Sequence, residues 1–418
     1  MNYTQSLRYL NSFLNLERIL YSPKNRLWNL KRMDYLLKWG KAPNRSFFPV
    51  VIAGTKGKGS TGFFLESILR ASGIPVGFYS SPHLESPRER IRLNGRVISV
   101  SDWTRGVQTV QRTLKGHRLP SGMGAFTYFE IMTFMAMLVF REKKIRAGIF
   151  EVGMGGRLDA VNVLRAPLSI ITPIAMDHEA LLGKNLQAIA CEKAGVIHKK
   201  ADVITGPQKK EAMKGIHARV KKMKAYLWKA KPLRQEAFSL AGDFHQVNGG
   251  LASEAARVLR ESYGFSQISK ESVRCGLKAE DWPGRMEYFK RGPRILLDAA
   301  HNPASMEALV RNLKRQHRER EVVLIFGSSR DKNAGEMFKI LSRYFSKVIV
   351  TRTPNPRSQE IHELLVAALP YFDNIIPVSY PLEALKTAGA VISKNGLIVV
   401  TGSFYLLGEL RKHVKNPN

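Results

Sequence analysis

Residues 48–62 press a strand, a turn and the start of a helix into one short stretch, and that succession limits the possible folds more than anything else in the chain. Phe48-Pro49-Val50-Val51-Ile52-Ala53 is apolar and rich in β-branched residues, the pattern of a buried strand. Gly54-Thr55-Lys56-Gly57-Lys58-Gly59-Ser60-Thr61 follows, and from Phe63 to Arg70 the apolar positions return at helical spacing. Strand, glycine-rich turn and helix, in that order, are the setting of a phosphate-binding loop. Glycines let the backbone curl until successive N–H groups converge on one anion, and the helix adds the positive end of its dipole. Lys58 brings a mobile cation, and Ser60 and Thr61 bring hydroxyls. The spacing departs from G-x-x-x-x-G-K-[ST], because Gly59 separates Lys58 from Ser60. A flexible Gly/Lys connection is the plain alternative, and the flanking strand and helix favour nucleotide phosphate over it.

The chain has 418 residues, more than one core usually organises, so two domains are expected. Cys191 and Cys275 are its only cysteines, which excludes a disulfide framework and suits a reducing compartment. The first residues lack a basic stretch leading into an apolar one, so no signal peptide is expected. The most apolar run, 126–140, contains Thr127, Glu130 and Thr133 and is too short for a bilayer. A cytoplasmic protein without a membrane partner is expected.

Lys and Arg number 66 against 34 acids, a formal net charge of +32, and a field of that size attracts anions of every kind. Basic clusters lie at 198–200, 209–210, 219–234 and 311–320, and Tyr226 and Trp228 interleave the third. Basic residues with interleaved aromatics raise a nucleic-acid surface as one reading. The clusters are scattered and no nucleic-acid module is legible, so solvated helix faces explain them more simply.

Read in order, residues 4–40 look helical, with a break at Pro23. Residues 74–80 form a second strand ending in Ser80-Ser81-Pro82-His83-Leu84. Thr127-Tyr128-Phe129-Glu130 opens an apolar helix at 130–140. A strand at 147–152 ends in Glu151 and runs into Gly153-Met154-Gly155-Gly156-Arg157-Leu158-Asp159, too loose a pattern for a dinucleotide turn. The strand at 168–174 leads to Asp177-His178, and a helix at 185–195 carries Lys193. Ligands of open parallel sheets bind beyond the carboxyl ends of the strands, where the phosphate loop, Ser81, Glu151 and His178 would all fall. After Trp282-Pro283-Gly284-Arg285 the rhythm changes to short strands at 294–298, 321–327, 347–351, 374–379 and 396–401, alternating with helices. The fold class expected from this rhythm is α/β, with a second, smaller α/β domain after about residue 287.

Taken together, GTKGKGS (54–60), SSPHL (80–84), TYFE (127–130), EVGMGGRLDA (151–160), MDH (176–178), EKAG (192–195), PGRME (283–287), LDAAHNP (297–303) and TGSFYLLG (401–408) resemble the folylpolyglutamate synthase/dihydrofolate synthase family, a branch of the Mur ligase superfamily. The resemblance runs from about residue 27 to residue 408. It implies a ligase that spends ATP to join the amine of L-glutamate to dihydropteroate or to the γ-carboxyl of a folate. It implies an α/β fold in which a large P-loop NTPase-like domain with a mostly parallel central sheet, residues 1–287, is followed by a smaller Rossmann-like domain, residues 288–418, with the site in the cleft between them. It also implies a monomer that handles small molecules, and Mg²⁺, with a second divalent or monovalent cation, as cofactor.

The same resemblance distributes roles. Thr55, Lys56, Gly57, Lys58, Gly59 and Ser60 look like the nucleotide loop, with Asn248, Arg285 and Asp298 as further ATP contacts. Ser81, Glu151 and His178 look like the metal ligands, and Lys193 like a lysine that is carbamylated and then able to hold a cation. Leu27, Trp28, Asn29 and Leu30, Thr127, Tyr128, Phe129 and Glu130, and Leu158, Asp159 and Ala160 look like pterin-side contacts. His301 and Ser403 look toward glutamate, His301 as a group that orients or deprotonates the amine. Read without the family, Lys193 is a helix lysine beside Glu192, and His301 a packed histidine at a helix start. Three positions depart from the pattern: Lys56 where asparagine is usual, Val161 where threonine is usual, and Leu27-Trp28-Asn29-Leu30 where an Asp-Leu-Gly-Leu-like stretch is common. The rival readings are a Mur-type ligase of cell-wall peptides and, from another class, a basic P-loop nucleic-acid-binding ATPase.

Overall fold

Apolar runs that alternate with helices along the chain become two sheets in the computed structural model, which describes residues 1–15, 30–238, 243–279, 282–289, 292–316 and 321–415. The chain divides into two compact units. One is built from residues 30–81 and 88–279 with the N-terminal helix, the other from Pro82–Pro87 and the chain from residue 282 onward.

The first unit holds β1 (Phe48–Ala53), β2 (Val76–Tyr79), β3 (Ile91–Leu93), β4 (Arg96–Val97), β5 (Ala147–Glu151), β6 (Leu168–Ile171), β7 (Asp202–Thr205) and β8 (Tyr226–Lys229), in the spatial order β4-β3-β2-β5-β1-β6-β7-β8. β2, β5, β1, β6, β7 and β8 run parallel, and the β3–β4 hairpin turns back antiparallel at one edge. β1 lies between β5 and β6, in register Val51 to Phe150 and Val51 to Ser169. Helices cover both faces, which is why β1, β2, β5 and β6 read as nearly continuous apolar runs, broken only by the buried Ser169 and by Glu151 at the end of β5, rather than as alternating ones. Phe47, Tyr79, Phe140 and Phe150 pack ring against ring on one face, with centroids 5.3–5.8 Å apart. The helix Tyr128–Glu142 is buried nearly all round. It starts at Thr127, whose hydroxyl accepts from Glu130 N while the Glu130 carboxylate accepts from Thr127 N.

Several elements differ from the sequence expectation. The helical stretch at 4–40 resolves into Tyr3–Asn11 and Leu30–Trp39, and Pro23 lies outside the described residues. Tyr226 and Trp228, read as aromatics interleaved in a basic cluster, belong to the edge strand β8. Trp228 is committed to the fold: Nε1 donates to Asp202 Oδ1 at 2.6 Å, and the Arg257 guanidinium lies 4.8 Å from its ring centroid. Tyr226 is exposed and Trp228 half-buried, so the second aromatic is held by the strand and its neighbours rather than standing out among the basic side chains.

The second unit holds β9 (Glu287–Phe289), β10 (Arg294–Leu297), β11 (Val322–Phe326), β12 (Lys347–Thr351), β13 (Asn374–Val378) and β14 (Leu397–Thr401), ordered β13-β12-β11-β14-β10-β9 and parallel except for β9. Pro82–Pro87 joins this unit by packing and by charge. Leu84 presses against Gly284 and Gly408, where a Cβ on Gly408 would sit 2.0 Å from Leu84 O. Arg411 pairs with Glu85 and, at 2.8 Å, with Glu287. Among the described residues, no helix is long and apolar enough to cross a membrane.

Candidate functional site

At the carboxyl end of β1 the chain makes two turns that only glycine tolerates. Gly54 has φ +146°, and a Cβ there would fall 1.9 Å from Thr172 Oγ1. Gly57 has φ +79°, and a Cβ there would fall 2.1 Å from Asn248 Oδ1. Between them the loop leans on the segment after β6: Thr55 N and Lys56 N both donate to Pro173 O at 3.2 Å, and Thr55 Oγ1 exchanges hydrogen bonds with Ala175 O and N at 3.1 Å. The helix Lys58–Ala71 then begins with no side-chain cap. Its first N–H groups, on Lys58, Gly59 and Ser60, are therefore offered to whatever anion lies beyond the strand end.

Two ammonium groups converge on one carbonyl here, Lys58 Nζ at 3.3 Å and Lys193 Nζ at 2.9 Å from Gly54 O. Lys193 sits in the last turn of the helix Leu186–Ala194 and is only 4% exposed. Thr61 Oγ1 and Asn248 Nδ2 are shielded and have no hydrogen-bond partner among the described residues. Unsatisfied polar atoms beside an uncapped helix start and paired cations fit a polyphosphate.

The metal candidates gather at the same end of the sheet. Ser81 follows β2, Glu151 closes β5 and His178 follows β6, and β2, β5, β1 and β6 are consecutive neighbours. Glu151 is 6% exposed. His178 takes the left-handed conformation, φ +52°, with its N–H donated to Asp177 Oδ1 at 3.0 Å. Among the described residues no three His, Cys, Asp or Glu side chains form a metal cluster. One hydroxyl, one carboxylate and one imidazole suit an ion that takes phosphate oxygens and water for the rest of its shell.

The proposed pterin-side residues divide. The Glu130 carboxylate is already spoken for by Thr127 N, Thr127 Oγ1 and Arg32, whose Nε and Nη2 both approach Oε1 at 2.9 Å. Glu130 and Thr127 thus hold the helix start and each other. Tyr128 is buried beneath the Arg90 guanidinium, and Phe129 packs on Tyr79 and against Gly153. Asp159 caps the turn Ala160–Leu164, its oxygens accepting from Met154 N and Val161 N at 3.0 Å. Burial pushes its carboxyl up to about 6, against the pull of those N–H donors and of Lys58. Leu158 is half-buried and Ala160 buried beside it. Leu30 opens the helix Leu30–Trp39 and packs on the core, while Leu27, Trp28 and Asn29 lie outside the described residues.

In the second unit, Asp298 and Ser403 stand beyond the adjacent strands β10 and β14. Asp298 accepts from Met286 N and Ala300 N at 3.0 Å; burial raises its pKa, and Arg285 opposes that rise. Arg285 lies 4.8 Å from the Phe404 ring centroid. His301 donates from Nδ1 to Ala299 O at 2.9 Å, which fixes the ring's orientation at the end of β10. Ser403, 4% exposed, accepts from Tyr405 N.

Arg32 and Gln208, which the sequence did not single out, hold partners far along the chain, Arg32 the Glu130 carboxylate and Gln208 the backbone of Thr172 and Ile174, and nothing local marks them. The Mur ligase glutamate ligase domain matches residues 284–404. Over 411 residues, 92% of this chain and 95% of its relative, the sequence is 30% identical to the dihydrofolate synthase/folylpolyglutamate synthase of Bacillus subtilis. The chain belongs to the dihydrofolate synthase/folylpolyglutamate synthase family. Its fold superposes with a TM-score of 0.87 on Mycobacterium tuberculosis folylpolyglutamate synthase complexed with ADP, at 28% identity over 99% of this chain and 98% of that one. The bifunctional folylpolyglutamate synthase/dihydrofolate synthase of Yersinia pestis, complexed with AMPPNP and a Mn ion, gives 0.83 at 25% identity over 100% and 98%. As a folylpolyglutamate synthase-type ligase, this chain presents its uncapped helix start, its paired lysines and its acidic strand end on the first unit, and Asp298 and His301 on the second.

Proposed function

We propose that this ligase joins L-glutamate to dihydropteroate, to the γ-carboxyl of a folate, or to both, with ATP as co-substrate. The observation that carries the reading is the convergence of Lys58 and Lys193 on Gly54 O beside a helix start with no cap. A carboxylate does not condense with an amine in water, because oxide is a poor leaving group. Moving the γ-phosphoryl group of ATP onto the carboxylate gives an acyl phosphate and ADP. The glutamate amine then forms the amide, inorganic phosphate departs, and the amine's proton goes to a base.

The protein's share is position and charge. Lys58 and the N–H groups of Gly59 and Ser60 would hold the phosphates, with Thr55, Lys56 and Gly57 shaping the loop and Asn248 supporting it. Bound Mg²⁺, held by Ser81, Glu151 and His178, would neutralise phosphate charge. Lys193 is the residue we assign to carbamylation: the buried cation would become a carboxylate-like anion able to hold a metal, which leaves Lys58 as the loop's cation toward phosphate. Arg285 and Asp298 would meet the nucleotide. His301, its ring oriented by the Nδ1 bond to Ala299 O, would orient or deprotonate the amine. Tyr128, Phe129, Leu158 and Ala160 would wall the pterin side, and Ser403 the glutamate side. The reading further assigns the enzyme to the cytoplasm as a monomer.

The test is purified protein with L-glutamate, ATP, Mg²⁺ and carboxylate-¹⁸O acceptor, either dihydropteroate or tetrahydrofolate. One labelled oxygen should appear in inorganic phosphate with each acceptor that is used. Unlabelled phosphate would overturn the acyl phosphate, and no glutamate-dependent ATP consumption with either acceptor would overturn the ligase reading.

A further inference from the structure

After β7 the chain turns at Gly206-Pro207, and Gln208 folds back over the carboxyl ends of β6 and β7. Its amide nitrogen donates to Thr172 O at 3.0 Å and to Thr205 Oγ1 at 3.2 Å, with Ile171 O at 3.5 Å. Its amide oxygen accepts from Ile174 N at 3.0 Å. The partners fix which end is which. Two carbonyls and a hydroxyl that itself donates to Ile171 O can only accept from Gln208, and Ile174 N can only donate. A glutamine is therefore required chemically, since a carboxylate at this position has no proton to give.

What Gln208 grips is the strip 172–175, and the opposite side of that strip carries the phosphate loop. Thr172 N donates to Ala53 O at 2.8 Å; Pro173 O receives Thr55 N and Lys56 N; Ala175 exchanges two hydrogen bonds with Thr55 Oγ1. Gly54 passes so close to Thr172 that no side chain fits between them. The same strip continues into Asp177 and His178. One side chain from β7's exit thus braces, from behind, the surface that sets both the entry of the loop and the approach of His178.

We propose that Gln208 is a positioning residue for the nucleotide end of the site, acting through the strip 172–175. The proposal rests on the ligase reading above. Without the amide, the strip loses its anchor to β7, and the loop N–H groups and His178 lose their fixed relation to the phosphates. The geometry puts no part of Gln208 on the acceptor or on glutamate.

Gln208→Ala should raise KM for ATP about tenfold, the factor that one to two net hydrogen bonds supply, and leave KM for L-glutamate unmoved. Gln208→Glu should behave like Gln208→Ala near pH 8. Its KM ratio to the parent should narrow toward about pH 6, where a carboxyl facing carbonyls regains a proton to donate. Tyr263→Phe is the control for plain destabilisation. It cuts hydrogen bonds to Pro167 O and Asp202 at the other ends of β6 and β7, and should lower the melting temperature without moving KM for ATP. The proposal is overturned if Gln208→Glu keeps the parent's KM for ATP, if the ratio ignores pH, or if Tyr263→Phe raises that KM equally. A parent protein that fails to ligate at all would instead count against the ligase reading. If Gln208→Ala does not fold, Gln208→Glu alone decides.

Discussion

Glu151 is buried, acidic and placed where β5 meets the phosphate loop, so its loss should remove function and spare the fold. Glu151→Ala is expected to lower ligation roughly a hundredfold or more, with the melting temperature nearly unchanged. Steady-state rates beside a thermal melt check this, and near-parental turnover would end its metal role. Asp159 supplies a pH effect with a definite sign. Its folded pKa, about 6, lies above the ordinary 3.8, so between those values the unfolded chain ionises first and stability falls as pH rises. Below that window the advantage is complete, and above it the ionised group is carried at a constant cost. Asp159→Asn should therefore flatten the fall in melting temperature between about pH 4 and pH 6, measured by calorimetry against the parent. At this scale the sequence was legible where function needs a local motif, as in 54–60. It was silent where a residue works through distant partners: Arg32 and Glu130 are 98 positions apart, and Gln208 lies 34 from Ile174.

The helix Tyr128–Glu142 shows how an element depends on one such partner. Arg32 and Glu130 form an ion pair with side chains only 3% and 8% exposed, and Arg32 also donates to Met123 O. Removing one member of a buried pair strands the other charge, so Arg32→Ala should cost about 3 kcal/mol or more. Because the pair steadies the start of Tyr128 and Phe129, the same variant should raise KM for the pterin acceptor more than KM for ATP. Chemical denaturation and two KM measurements test both halves, and a loss of stability without an acceptor effect would detach Tyr128 and Phe129 from the pterin side. Long apolar strands such as β1, β5 and β14 were readable because burial on both faces demands nearly continuous apolar runs. β7 begins with Asp202, β8 carries Lys229 and a half-solvated Trp228, and β4 is two residues long. Composition at such edges reflects solvent as much as pairing, which is why they were not anticipated.

For the molecule as a whole, the charge of +32 opposes compaction. Raising salt from about 0.02 M to about 0.15 M should raise the melting temperature, because screening relieves like-charge repulsion faster than it weakens buried pairs. A melting temperature that falls instead would mean that attractive surface pairs dominate. The α/β class and the alternation of strands after residue 294 were visible from the pattern, but the membership of Pro82–Pro87 was not, since six residues between two strands of one unit give no sign of packing with the other. That excursion has a practical consequence for anyone dissecting the enzyme. A fragment starting near residue 282 would leave Arg411 without Glu85 and strip Leu84 from the surfaces of Gly284 and Gly408, so the C-terminal piece expressed by itself would be a wounded protein rather than a module.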